Sequence, residues 1–213
     1  MNKFNQILVE AKKHFVNARG SHDFDHVERV LKMALHIGKK EGADLEILKL
    51  AAILHDVSRK SADEQKGKVD HAREGALAAR EILEKFKIAP AKIAAICHCI
   101  EAHRFRNEIK PCTLEAKILF DADKLDSIGA TGVGRAFLFA GEIGAKLHNA
   151  VETDISKTAE FSLEDTAYRE FMVKLKYIKS RLQTREGRRI AKSRHQFMVD
   201  FFKRLNKEIT GKI

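Results

Sequence analysis

Apolar residues recur at helical spacing along almost the whole of this chain, and that pattern limits the folds open to it. Within the segment Phe24 to Lys40, Val27 and Val30 lie on one side of a predicted helix. The next segment, Leu45 to Val57, is almost entirely apolar and is predicted to be the buried central helix. No stretch alternates in the manner of a strand, and two prolines in 213 residues favour long helices over a barrel of many tight turns. The sequence therefore predicts an all-α fold.

The rest of the chain divides into further helices and loops. Gly129, Gly132 and Gly134 mark a place where a helix loosens or breaks. We expect a single-domain helical bundle, with a core over residues 1–160 that carries the functional site and a basic helical extension over residues 161–213 packed on it. Helices are also predicted over residues 1–15, 70–86 with Asp70 as the N-cap, 90–102, from Thr113 past Leu125, 163–182 and 185–209, with loops over 58–69 and 151–160.

The composition is that of a soluble globular protein, with 44% hydrophobic and 33% charged residues. No apolar run approaches the roughly 18–20 residues that a membrane span needs, and residues 1–15 do not have the pattern of a signal peptide. The three cysteines are an odd number without a Cys-x-x-Cys pair, so we expect no disulfide framework and a cytoplasmic location.

The net charge of +10 is concentrated at the C-terminal end of the chain. From Lys174 onwards there are 13 Lys and Arg residues against 3 Asp and Glu, whereas the preceding 173 residues sum to zero. Such a segment attracts nucleic acid, a membrane surface or a phosphorylated substrate, or is simply a solvated surface helix. Phe197, Met198 and Phe201 form an apolar stripe within it, so we expect the segment to pack on the domain.

Imidazole and carboxylate side chains are concentrated in three places. Asp56 ends the most apolar helix, where a buried carboxylate requires a counter-charge or a metal. Imidazole plus carboxylate is a ligand set suited to Mn²⁺, Fe²⁺, Co²⁺, Ni²⁺ or Zn²⁺, and the presence of three such places on separate helices indicates a metal site. The three places are His22 with His26, the adjacent pair His55 and Asp56, and the run of Asp121, Asp123 and Asp126.

These motifs resemble those of the HD-domain metal-dependent phosphohydrolases. The matching segments are SHDFDHVERV (21–30), LAAILHDV (50–57) and EAKILFDADKLD (115–126). The resemblance covers roughly residues 20–140 and implies a helical bundle of the HD-domain type. It also implies one divalent transition metal, with Mg²⁺ as a further candidate, bound by His26, His55, Asp56 and Asp123. Asp123 matches the Ala-Asp-x-Leu context that is usual in the family, and Asp121 is the alternative.

The segment from Leu125 to Phe137 is similar to a branch of small proteins in this family that act on nucleotides. The resemblance therefore implies hydrolysis of a phosphate ester or anhydride by a metal-activated water. Arg59 stands where some members carry a catalytic Glu, so a mechanism that depends on that Glu is not expected. The residues predicted to act are Asp56, Lys60, His103 and Asp126 in catalysis, and Lys60, Arg104, Lys124 and Arg135 in binding substrate phosphate.

A second metal is left open by the sequence. His71, His98 and His103 resemble positions where dinuclear members of the family supply further histidines, and they also fit the mouth of a phosphate site. The expected partner is a small phosphorylated molecule, with the protein as a monomer or homodimer and no membrane association. Two alternatives remain, namely a non-catalytic nucleotide-sensing module and a nucleic-acid-associated protein that uses the basic C-terminal segment.

Overall fold

A computed structural model of the chain describes residues 2–18, 20, 23–64, 70–104 and 109–212. The regular structure in these ranges is helical, with no strand, which confirms the all-α prediction. The chain divides into two compact units, Met1–Asp123 and Lys124–Ile213. The functional division expected at residue 160 stays a prediction. None of the described helices combines the length and the apolar character needed to cross a bilayer.

The first unit is built around one apolar helix. This helix, α3, packs against α1, α2, α5 and α6, and its residues Leu48 and Leu50–Leu54 are buried. It is therefore the central helix that the sequence predicts. The helices of this unit are α1 (Lys3–Lys13), α2 (Phe24–Glu41), α3 (Leu45–Leu54), α4 (Arg59–Glu64), α5 (His71–Lys85), α6 (Pro90–Glu101) and α7 (Leu114–Asp126), whose last turn continues into the second unit.

Side-chain caps fix where the site-bearing helices begin. The carboxylate of Asp23 accepts from the backbone N–H of His26 at the start of α2. Asp70 accepts from the N–H of Ala72 at the start of α5, as the sequence predicts. The Oγ1 of Thr113 accepts from the N–H of Ala116 and caps α7 in the same way. These caps place the histidines and carboxylates that follow them in a fixed helical register.

The second unit contains α8 (Gly129–Glu142), a 3-10 helix (Ile155–Lys157), α9 (Ala167–Val173), a second 3-10 helix (Leu175–Arg181) and α10 (Arg185–Ile209). The break predicted at the glycines is confirmed, since α7 ends at Asp126 and α8 begins at Gly129, whose φ is +79°. Arg194 of α10 lies against Gly129 and donates to the carbonyl of Leu125, 2.6 Å away.

Three predicted element boundaries are wrong. The helix expected over 45–57 ends at Leu54, because i to i+3 hydrogen bonds form a turn there. The loop expected over 58–69 contains α4, whose sequence has helix-forming Arg, Lys, Ala and Glu and no glycine or proline; residues 65–69 lie outside the described ranges. The helix expected over 163–182 is interrupted at Lys174, whose φ of −138° and ψ of −58° leave the helical region.

Candidate metal centre

The predicted ligand residues lie at the ends of helices in the first unit. His26 is in the first turn of α2, and the pair His55 and Asp56 lies in the turn after α3. Asp123 belongs to the last turns of α7. Further histidines come from two other helix ends, since His71 opens α5 and His103 follows α6. The metal-ligand atoms of these residues form two groups.

The first group consists of His26, His55 and Asp123, whose candidate ligand atoms all lie within 4.8 Å of one another. The Nε2 atom of His26 is 3.4 Å from Oδ1 of Asp123 and 3.3 Å from Nε2 of His55. Both histidines are buried. This spacing can accommodate an ion between three converging ligands.

The second group consists of Asp56, His71 and His103. Oδ1 of Asp56 is 3.9 Å from Nε2 of His71 and 3.6 Å from Nε2 of His103. The other oxygen, Oδ2, is 3.7 Å from Nε2 of both His26 and His55. The carboxylate of Asp56 therefore lies between the two groups, with one oxygen toward each.

Backbone carbonyls set the orientation of two of the rings. Nδ1 of His55 is 2.7 Å from the carbonyl oxygen of Ala52, and Nδ1 of His103 is 2.5 Å from that of Ile100. A carbonyl oxygen only accepts, so Nδ1 carries the proton in both rings. In the neutral imidazole, Nε2 then has a free lone pair, and in both residues this atom faces Asp56. The second nitrogen of a metal-bound histidine is held in the same way.

The electrostatics favour neutral imidazoles beside an ionised carboxylate. Burial lowers the pKa of His55 to about 4 and that of His71 to about 3. Burial alone raises the pKa of Asp56, but the neighbouring histidines and Arg59 outweigh it and hold that pKa well below its usual range. At neutral pH the site is therefore negative at Asp56 and uncharged at these rings.

Two observations show that this arrangement fits a divalent cation. Among the described residues, the buried Oδ1 of Asp56 has no hydrogen-bond partner, which is costly for an ionised oxygen. The Nε2 atoms of His26 and His55 also face each other at 3.3 Å, with Oδ2 of Asp56 3.7 Å from each, so three potential ligand atoms converge. A divalent cation would give Oδ1 its missing partner and suits this set of nitrogen and oxygen ligands.

The other predicted residues have varied surroundings. Lys60 donates from Nζ to the carbonyl of Val16 at 2.9 Å, and Nη1 of Arg104 is 3.1 Å from Oδ1 of Asp70. Nε2 of His98 accepts from the backbone N–H of Cys112, so it is already engaged. Asp121 is buried but is not one of the grouped residues. His22 and residues 65–69 and 105–108 lie outside the described ranges.

Lys124, Asp126 and Arg135 belong to the second unit. There, Nη1 of Arg135 donates to Oδ2 of Asp126 at 3.0 Å, and Asp126 is buried. Their predicted roles in catalysis and phosphate binding stay predictions.

Two contacts around the second group are not visible in the sequence. Oγ of Ser58 donates to the backbone carbonyl of His71 at 2.9 Å, joining the turn after α3 to the start of α5. The ion pair of Asp70 with Arg104 joins the residues next to His71 and His103. The sequence shows that Asp70 can cap a helix, but it does not identify Arg104 as the partner of Asp70. Nothing in the sequence indicates the hydrogen bond from Ser58 to His71.

Comparison with known proteins gives consistent matches. The family model of the HD domain matches residues 23–128. The uncharacterized protein YpgQ of Bacillus subtilis is 33% identical over 210 residues, which cover 97% of this chain and 93% of that protein.

Solved structures match over nearly the whole chain. The crystal structure of Bacillus subtilis YpgQ in complex with ADP has a TM-score of 0.75 at 31% identity and covers 98% of each chain. An HD-superfamily hydrolase from Bacillus thuringiensis has a TM-score of 0.74 at 25% identity, covering 98% of this chain and 97% of that one.

Proposed function

Because this chain belongs to the HD-domain superfamily of metal-dependent phosphohydrolases, we propose that it hydrolyses a phosphate ester or anhydride bond of a nucleotide. The observation that carries the proposal is the convergence of four histidines, His26, His55, His71 and His103, on the carboxylate of Asp56, with Asp123 beside His26. The nucleotide part is supported by the ADP bound in the structure of the relative YpgQ.

The ligands of the proposed centre are assigned by group. His26, His55, Asp56 and Asp123 would hold one divalent cation, of which Mn²⁺, Fe²⁺, Co²⁺, Ni²⁺ and Zn²⁺ suit the donor set and Mg²⁺ is a further candidate. His71 and His103, with the other oxygen of Asp56, would hold a second. A divalent cation bound there supplies a water of lowered pKa as nucleophile and polarises a phosphoryl oxygen.

The chain's own residues supply orientation and charge. Asp56 keeps Oδ1 available, because no described hydrogen bond engages that oxygen. We assign the cationic groups of Lys60 and Arg104 to the equatorial phosphoryl oxygens, where positive charge stabilises the transition state. Within the described ranges, Lys60 contacts the carbonyl of Val16 and Arg104 contacts Asp70, and each would exchange that contact for phosphate. For residues of the second unit we keep the predicted roles, Asp126 in catalysis and Lys124 and Arg135 in binding substrate phosphate.

The proposal extends to the setting of the enzyme. We propose a cytoplasmic enzyme, a location supported by three free cysteines, two of them buried. The substrate is proposed to be a small molecule, and the functional core to be residues 1–160.

Elemental analysis of the purified chain tests the centre directly. We expect about two transition metals per chain in the wild type, and loss of both in Asp56→Ala together with at least about a 10³-fold fall in phosphate release from nucleotides, because several kcal/mol of transition-state stabilisation are removed. His71→Ala should retain about one metal. Exposed His14 provides the matched control, and His14→Ala should behave as the wild type.

Two results would contradict the proposal in different ways. Metal retained in both His26→Ala and Asp56→Ala would refute the ligand assignment. Full metal content with nucleotide binding but no phosphate release from a panel of nucleotides would refute the hydrolase and leave a nucleotide-sensing module.

A further inference from the structure

The excess positive charge of this protein lies on two adjoining elements of the second unit. The 3-10 helix Leu175–Arg181 and α10 pack against each other, and together with their flanks they carry 13 Lys and Arg residues against 3 Asp and Glu. Elsewhere in the chain the charges cancel. The proposed hydrolysis of a small molecule uses none of these residues.

On α10 the charges form a stripe along one face. At 100° per residue, Arg185, Lys192 and Lys203 fall within about 20° of one line along the helix, and Arg188 and Lys207 lie beside it. All five are exposed. The apolar residues Ala191, Met198 and Phe202 lie about 100–140° around the helix from that line and are buried.

The stripe is not neutralised by neighbouring acids. Glu186 pairs with Arg189, Glu208 pairs with Arg204, and Asp200 accepts from Gln196. Within the described part of the chain, no carboxylate lies within ion-pair distance of Arg185, Lys192, Lys203 or Lys207. Four like charges on one exposed face repel each other, so an external polyanion would relieve that repulsion.

The shape of the stripe distinguishes between kinds of polyanion. From Arg185 to Lys207 it runs for about 33 Å at 1.5 Å per residue, which suits a linear chain of phosphates. A membrane-surface helix inserts one apolar face into the lipid, but on α10 Ala191, Met198 and Phe202 are buried in protein, and the exposed Phe197 and Ile209 lie on different sides of the helix. We propose that this stripe binds the phosphate backbone of a nucleic acid without reading its sequence.

Fluorescence anisotropy with the full chain tests the proposal, using labelled single-stranded RNA of 20 nucleotides, DNA of the same sequence and the DNA duplex. We expect dissociation constants of about 10⁻⁶–10⁻⁴ M near physiological salt and similar affinity for unrelated sequences. Changing Arg185, Lys192, Lys203 and Lys207 together to Gln should weaken binding at least tenfold. The slope of log K against log salt should become shallower by about 3, since about 0.7 is lost per phosphate contact on a single strand.

The matched control changes four exposed lysines of the first unit, Lys3, Lys32, Lys39 and Lys49, to Gln, which removes the same net charge. It should retain binding within about twofold. Equal losses in both variants would overturn the proposal, because they would show a response to net charge alone. Absence of binding at 50 mM salt, or equal binding to polyglutamate or to phosphatidylserine vesicles, would also overturn it. A difference between the dissociation constants for the RNA and for the DNA of the same sequence would identify which backbone the stripe prefers.

Discussion

Asp70 and Arg104 each stand beside a histidine of the second group in the candidate metal centre. Asp70 precedes His71, and Arg104 follows His103. Their ion pair, at 3.1 Å, therefore connects the start of α5 to the end of α6 at the point where both deliver an imidazole. Neither residue ligates, so the pair acts on the geometry of the group and on its charge.

We expect Arg104→Gln to weaken binding of the second cation by about fivefold to tenfold and to leave the first unchanged. Loss of an outer contact commonly costs 10- to 100-fold in metal affinity, but this pair is one-third exposed, which reduces its contribution. Stepwise titration of the metal-free chain with Mn²⁺, followed by paramagnetic resonance, separates the two affinities. Arg73→Gln, on the exposed side of α5, is the control. An unchanged second affinity would show that the ion pair of Arg104 with Asp70 does not position the second group.

The site residues that could be predicted from the sequence are those that lie in short, recognisable motifs. His26, His55, Asp56 and Asp123 each lie in a short motif with helical flanks, and the structure brings these four together. The contact of Asp70 with Arg104 joins residues far apart in sequence, and no periodic pattern encodes it.

Among the helices, the junction of α7 and α8 shows how two glycines of one motif differ. A Cβ at Gly132 would overlap the backbone carbonyl of Ser127, whereas a Cβ at Gly134 would meet nothing within 4 Å. Gly132 thus permits the tight turn between the two helices, and Gly134 does not contribute to it.

We expect Gly132→Ala to lower the free energy of unfolding by about 3 kcal/mol, since the backbone must shift to remove the overlap. Gly134→Ala should raise it by about 0.5–1 kcal/mol, the usual gain for replacing glycine within an exposed helix. Urea denaturation of both variants is the measurement. Effects of the same sign would mean that the Ser127 contact is not what constrains this junction.

Elements with strong caps and continuous periodicity were predictable. α10 matches its predicted bounds, with Thr184 accepting from the N–H of Gly187 at its start. The prediction of one helix over 163–182 was wrong. The buried residues Leu175 and Ile178 are three residues apart, a spacing that suits a 3-10 helix as well as an α-helix. Sequence periodicity does not separate these two structures over so short a segment.

At the scale of the whole molecule, burial of uncharged histidines couples stability to pH. In the metal-free protein, His55 and His71 resist protonation down to about pH 4 and pH 3 respectively, whereas the unfolded chain takes up these protons near pH 6.5. The unfolded state therefore binds more protons throughout that window, and stability falls as the pH falls.

We expect the free energy of unfolding in EDTA to be nearly flat above pH 6.5 and to fall by about 1 kcal/mol per pH unit for each of the two histidines between pH 6.5 and 4. Urea denaturation at pH 7, 6 and 5 measures this. His71→Gln should lose about half of the slope. A wild-type slope of zero between pH 6 and 5 would show that these rings accept protons while folded.

The division into two compact units could not be predicted from the pattern of residues. α7 runs without interruption across the boundary between Asp123 and Lys124, so helical periodicity continues through it. The two units are defined by contacts between segments that are distant in sequence. A local pattern of residues does not show those contacts.

The carbonyls of Ala52 and Ile100, which hold the rings of His55 and His103, have a consequence for how the protein acquires its ion. Ligands oriented by their own helices need no rearrangement when one ion leaves and another enters, so exchange is open to any divalent ion of suitable size. Discrimination by these side chains then follows general affinity order rather than a strained geometry. The ion found in a purified sample would accordingly reflect that affinity order together with the metal supply of the cell that made it.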